Sequence, residues 1–120
     1  MNHMKGMQSI LFGESPFLTS SGSVVGKKES EGPLGKKFDI ASDDDLFGEQ
    51  TWEAAESTMQ TMACQLAMKK AGVMPEEIRY LFGGDLLRQG IATSMGVEEL
   101  KIPMFGLFGA CSTSGEAIAL

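Results

Sequence analysis

The sequence is poor in the residues that most site chemistry draws on. One histidine (His3), two cysteines (Cys64 and Cys111), one tryptophan and one tyrosine stand among 120 residues. A zinc site needs three or four clustered Cys or His ligands, and the sequence offers no such cluster. Cys64 falls in a helical pattern and Cys111 in a glycine-rich turn, so two reduced thiols are a simpler reading than a disulfide scaffold. His3 sits in the ragged start Met1-Asn2-His3-Met4-Lys5-Gly6-Met7, where chains fray, and is a poor candidate base. No apolar run approaches the ~20 residues that span a bilayer, and the start lacks the apolar stretch of a secretory leader. The chain is therefore expected to stay in the compartment that makes it. Basic charge is also scarce: ten Lys and Arg against sixteen Asp and Glu give a net charge of -6 and a pI of about 4.7. An acidic surface repels phosphate backbones, which argues against nucleic acid as a partner.

What is present suits one α/β domain. The apolar fraction is 42%, high enough to argue against disorder, and the length leaves no room for a second core. The spacing of Trp52, Ala55, Met59, Met62, Ala63, Leu66 and Ala67 predicts a helix over 51–71. Thr51 is its expected N-cap and Gly72 its stop. The methionines and Cys64 read as ordinary core packing in that helix. Short strands are expected at 8–12, 17–25, 78–82 and 104–108, with a glycine bulge or a close contact at Gly22. A second helix is expected over 86–95, ended by Gly96, and a third opens after Gly109-Ala110-Cys111-Ser112. Residues 26–48 read as a long solvated loop, and its run Asp43-Asp44-Asp45 as an exposed acidic stretch rather than a cation site. Helices alternating with strands predict a sheet layered between helices.

The turn at Cys111 is the place where chemistry is expected. A helix N-terminus after a buried strand offers free N–H groups and a partial positive charge, which favour a thiolate, an oxyanion or a bound carboxylate. Three readings stay open on these residues: a nucleophile, an anion-binding turn, or a cysteine that is merely buried among small neighbours. A thiol nucleophile needs a base, and no credible histidine is available. Asp85 follows its strand, but a carboxylate beside a thiol raises the thiol pKa and opposes activation.

The stretch Leu107-Phe108-Gly109-Ala110-Cys111-Ser112-Thr113-Ser114 resembles the nucleophile turn of the thiolase superfamily. Two further segments, Glu31-Gly32-Pro33-Leu34-Gly35-Lys36-Lys37-Phe38-Asp39 and Phe82-Gly83-Gly84-Asp85-Leu86-Leu87, resemble the stage V sporulation AD family within it, over about Gln8 to Leu120. The resemblance implies a thiolase-like layered α/β fold of two similar halves, of which this chain matches the first, up to the helix after the nucleophile position. It implies a non-catalytic protein that binds dipicolinic acid, with calcium, and supports its uptake into the developing spore. It also implies work beside other stage V sporulation A proteins at the spore membrane, and a homodimer. Cys111, Ser112, Gly109 and Asp85 would then line the ligand site. The alternative is a thiolase or ketoacyl synthase-type acyltransferase with Cys111 as nucleophile. Dipicolinate is a dianion, so the acidic chain is expected to favour its calcium chelate, with calcium bridging a ligand carboxylate to an acid such as Asp85. The last helix stops after about two turns with no cap, so the chain alone is expected to be marginal or prone to aggregate.

Overall fold

The computed structural model describes residues 4–87 and 89–120, so His3 lies outside the described residues. The longest element forms where the apolar spacing predicts it. Helix α2 runs Trp52–Ala71 and follows the single turn α1, Lys27–Ser30. The Thr51 hydroxyl accepts from the Ala54 N–H at 3.2 Å, occupying one of the donors a helix start leaves unpaired. At the other end Gly72 takes a left-handed conformation (φ 69°), its N–H bonded to Lys69 O, while Val73 N–H reaches Met68 O at 3.1 Å. This pair of bonds absorbs the orphan carbonyls of the last turn.

The strands are shorter than the sequence pattern suggests. β1 (Met4–Lys5) and β2 (Ser9–Ile10) make a small antiparallel hairpin, exposed on both strands. β3 (Val24–Val25) pairs in parallel with β4 (Ile40–Ala41). β5 (Leu81–Gly83) pairs in parallel with β6 (Met104–Gly106), in the register Leu81↔Met104, Phe82↔Phe105, Gly83↔Gly106. Helix α3 (Ile91–Val97) lies in the connection between these two strands, and helix α4 (Thr113–Ala119) follows β6. The architecture is mixed α/β with small parallel ladders.

Residues 26–48 are not the open loop the composition suggests. They carry α1, a turn of 3-10 helix at Gly35–Lys37 and β4. Side chains organise this stretch by bonding backbone. Asp45 Oδ1 accepts the Lys27 N–H at 2.9 Å. Asp44 accepts the N–H groups of Leu46 (3.0 Å) and Gly48 (2.7 Å), which draws its carboxyl below the usual range. Two of the three aspartates in the acidic run are therefore bonded to backbone, Asp44 within its own turn and Asp45 at the start of α1. Asp39 Oδ2 accepts from Ser23 N–H and Oγ at 3.0 and 2.9 Å, and its Oδ1 meets Lys70 Nζ at 2.5 Å, tying β3 and β4 to the end of α2.

The second helix starts later than expected and runs further. Residues Gln89 and Gly90 hold positive φ angles of 54° and 87°, which break any helix from Leu86. Gly96, expected as a terminator, lies buried inside α3 instead. A Cβ there would sit 2.5 Å from Ser57 O and 2.9 Å from Ser57 Cα, so glycine lets α3 rest directly on the backbone of α2. Ser57 Oγ donates to Ala92 O at 2.7 Å, and Thr61 Oγ1 donates to Gly96 O. Beside this contact Val97, Leu100 and Ile102 form the buried core, with Cys64, Met68, Ile78, Leu81 and Met104 packed against it. That core is small. The accessible surface is 9065 Å², against about 6,300 Å² for a compact monomer of 12.8 kDa. The radius of gyration is 15.7 Å, against about 13.6 Å for a packed chain of this length.

Two outcomes follow from these contacts. Gly96→Val forces a branched side chain into the Ser57 backbone and is expected to lower the unfolding free energy by about 1–3 kcal/mol, read by urea denaturation. Unchanged stability would show that the two helices do not touch there. The Asp39 carboxyl is held below its ordinary value, chiefly by the Lys70 hydrogen bond and then by Ser23. Its stabilising contribution is therefore present above the unfolded-state pKa and is lost as pH falls through the lowered folded-state value. Asp39→Asn is expected to shift the urea midpoint downward at pH 7, and the gap between the two proteins should close in strong acid.

Candidate functional site: the Cys111 turn and its neighbours

β5 ends at Gly83 and is followed by Gly84 and Asp85, and the tight fit of this end creates the site. Gly84 packs against the Leu107 carbonyl: a Cβ would lie 2.2 Å from that oxygen and 3.0 Å from Thr113 Cγ2. Leu107 N–H donates to Gly83 O at 2.8 Å. The connection that carries Asp85 is thereby drawn against the segment that leads into Cys111. Asp85 Oδ2 accepts the Thr93 N–H at 3.1 Å and its Oγ1–H at 2.9 Å. Thr93 is the third residue of α3, and the N-cap position is Gly90, which has no side chain. Asp85 thus supplies from a distance the cap that Gly90 lacks.

Gly109, Cys111 and Ser112 fall in one tight turn. Ala110–Ser112 is a turn of 3-10 helix, entered through Gly109 and strained at Ala110, whose φ is 50°. Ser112 N–H donates to Gly109 O at 3.0 Å and Thr113 N–H to Ala110 O. The N–H groups expected to stand free for an anion are partly spent inside the turn. Cys111 is exposed, which corrects the reading of a cysteine buried among small residues. Cys64 is the shielded thiol, and burial pushes its pKa above the usual value.

Two residues at this turn escape the sequence reading. Glu116 folds back over Gly109 and accepts a hydrogen bond from Ser112 Oγ at 2.5 Å, with Ser112 Oγ also 2.8 Å from Gly109 O. A Cβ on Gly109 would collide with that carboxylate, 2.0 Å from Oε1. The available signal was the Ser112–Glu116 spacing of four residues, which brings two side chains to one helix face. Thr113 Oγ1, among the described residues, is buried and finds no hydrogen-bond partner. A hydroxyl in that state costs about 1–3 kcal/mol, which a ligand group could recover. Nothing in the pattern of the sequence singles it out, because threonine at a helix start is ordinary. Among the described residues no three His, Cys, Asp or Glu side chains gather as a metal cage, and no helix is long and apolar enough to cross a membrane.

Comparison with known proteins decides the lineage. The family model described as Stage V sporulation protein AD matches residues 6–120. The chain belongs to that family. It is 37% identical over 117 residues to the Stage V sporulation protein AD of Bacillus subtilis (strain 168), an alignment that covers 98% of this chain and 35% of that protein. The chain thus spans about a third of the length of the curated relative it matches. The family assignment puts the stretches Glu31–Asp39, Phe82–Leu87 and the Cys111 turn inside one matched region.

The two thiols should separate by reactivity. At pH 8, Ellman's reagent is expected to modify Cys111 at least about tenfold faster than the half-buried, pKa-raised Cys64. Peptide mass mapping after partial reaction identifies the labelled site. Equal labelling of both would contradict the placement of Cys111 at the surface.

Proposed function

We propose that the chain belongs to a non-catalytic, thiolase-like binding protein of sporulation. Its ligand is dipicolinic acid, taken as the calcium chelate, and its role is to support uptake of that acid into the developing spore. Family membership supports the sporulation role. The observation that carries the binding reading is the Glu116 carboxylate lying over the turn of Cys111. A carboxylate there repels a free dianion and favours a ligand that arrives with its own divalent cation, since calcium accepts six to eight oxygen ligands, carboxylates among them. The Glu116 and Asp85 carboxylates and the Ser112 and Thr113 hydroxyls are oxygens of that kind. Calcium would be held by ligand and protein together, with Asp85 also capping α3. The thiolase-like layering is part of the same reading: a parallel two-stranded ladder such as β5–β6 is stable only when extended and covered on both faces. The protein would act in the spore's interior or peripherally at its inner membrane, beside other stage V sporulation A proteins and as a homodimer.

One observation favours a second reading. Cys111 is exposed, and a reachable thiol could displace coenzyme A from an acyl thioester and carry the acyl group, as an acyltransferase would.

Calorimetry on the full-length protein with calcium dipicolinate is the test. Saturable heat is expected, weakened about tenfold or more by Glu116→Ala and by Cys111→Ala in folded protein. Absence of heat, or variants that bind as well as the parent, would overturn the site. Incubation with acyl-CoA followed by intact-mass measurement separates the second reading, because only the acyltransferase gains an acyl group on Cys111.

A further inference from the structure

A second concavity lies away from the Cys111 turn, and none of Gly109, Cys111 or Ser112 lines it. It is a cleft of about 870 Å³ between the β3 segment, the 26–48 stretch and one face of α2. That volume falls within the ~300–1,000 Å³ range of small-molecule sites. The residues α2 presents are Trp52, Ala55, Glu56, Met59, Gln60 and Ala63, a stripe at spacings of three and four. The opposite wall brings Phe38 and Phe47. Gly22 closes the floor, where a Cβ would sit 2.4 Å from Ala63 O.

Two features mark this cleft as built. Phe47 occupies the left-handed region at φ 53°, unusual for an aromatic residue, and is pinned there by the Asp44 carboxylate bonds to Leu46 and Gly48 N–H on either side. Trp52 remains mostly exposed at 61% although it is the only tryptophan of the chain. Three aromatic rings therefore surround a cleft whose ionisable lining is Asp45, Glu56 and Lys28. The Lys28 side chain is on the solvent-exposed α1 turn, where a long ammonium stem can keep its charge in water. Asp45 Oδ1 already accepts from Lys27 N–H, which fixes that carboxylate at the wall. Glu56 has a weak partner, Gln60 Nε2 at 3.4 Å, and its carboxyl is pushed up first by burial and then by the charge of Asp85. A positive group beside Glu56 would relieve that negative potential, and the neighbouring rings offer their electron-rich faces to the same charge.

The geometry points to this cleft as a binding site for an aromatic or alkyl organic cation, its ammonium seated between Glu56 and the Trp52, Phe47 and Phe38 rings. An occupant of this kind matches both the apolar walls and the two-to-one excess of acid over base in the lining. The proposal does not rest on the dipicolinate reading: the cleft lining contains neither the Cys111 turn nor Asp85, whose charge reaches Glu56 from outside it.

Three phenyl-bearing probes test it on the full-length protein by calorimetry: benzyltrimethylammonium, its uncharged carbon isostere neopentylbenzene, and the anion 4-phenylbutyrate. The cation is expected to bind at least about tenfold more tightly than either of the others. Glu56→Gln is expected to remove most of that preference while leaving neopentylbenzene affinity unchanged, and Trp52→Leu to weaken the cation more than the neutral probe. Circular dichroism of each variant establishes that it is folded. Equal or tighter binding of the neutral or anionic probe overturns the proposal. So does cation binding that survives Glu56→Gln in full, or no heat with any of the three.

Discussion

The backbone of α3 rests on the backbone of α2 at Gly96 and Ser57, and the rest of the structure depends on that contact. No side chain separates the helices there. The hydroxyls of Ser57 and Thr61 then bond the Ala92 and Gly96 carbonyls, so the polar groups that close approach would strand are paired. Val97, Leu100 and Ile102 can gather beside it because α3 is held at this distance. β5 and β6 flank α3 in the chain, so placing α3 also places both strands of the ladder. Asp85 then fastens the start of α3 to the end of β5. Its neighbour Gly84 packs on Leu107 and Thr113, which flank the Cys111 turn, so the site is framed by helix docking rather than by a rigid loop of its own.

Electrostatics gives the two candidate sites different characters. At the Cys111 turn a carboxylate leans on the backbone through a serine, and a buried threonine hydroxyl stands unsatisfied. Under the proposed function, such a place takes a ligand rich in oxygen that carries a hard cation. At the α2 cleft two carboxyls share the lining with three aromatic rings, and the proposed occupant is a soft, poorly hydrated positive charge. An overall charge of -6 predicts neither preference; the local partners do.

Much of this was legible in the sequence where one element signals itself locally. Helix α2, its Thr51 cap and its Gly72 stop follow from spacing and end chemistry alone. Gly22 was readable in part, because a lone glycine in an extended run implies either a bulge or a close neighbour, and the structure has the neighbour. The strands were located but drawn too long, since apolar runs such as Met104–Phe108 continue past the point where the partner strand ends. The start of α3 was missed because its cap is Asp85, outside the helix, so nothing adjacent to Gly90 announced it. Gly96 misled for the reason that makes it useful: a glycine that ends a helix and one that admits a neighbouring helix look alike in one dimension. Residues 26–48 read as loop because their order comes from aspartate side chains bonding backbone elsewhere in the chain. At the site, Cys111 and Asp85 could be singled out by type and place, whereas Glu116 and Thr113 acquire meaning only once α4 is turned against Gly109 and Gly84.

The glycine contacts bear on how this sequence can drift over generations. Gly22 meets Ala63 O, Gly84 meets Leu107 O and Gly96 meets Ser57 O at distances no side chain can enter. Carbonyl oxygens of the main chain cannot rotate away as a side chain would. A lineage carrying this fold is therefore held to its smallest residues at these three places, whatever covers its larger ones.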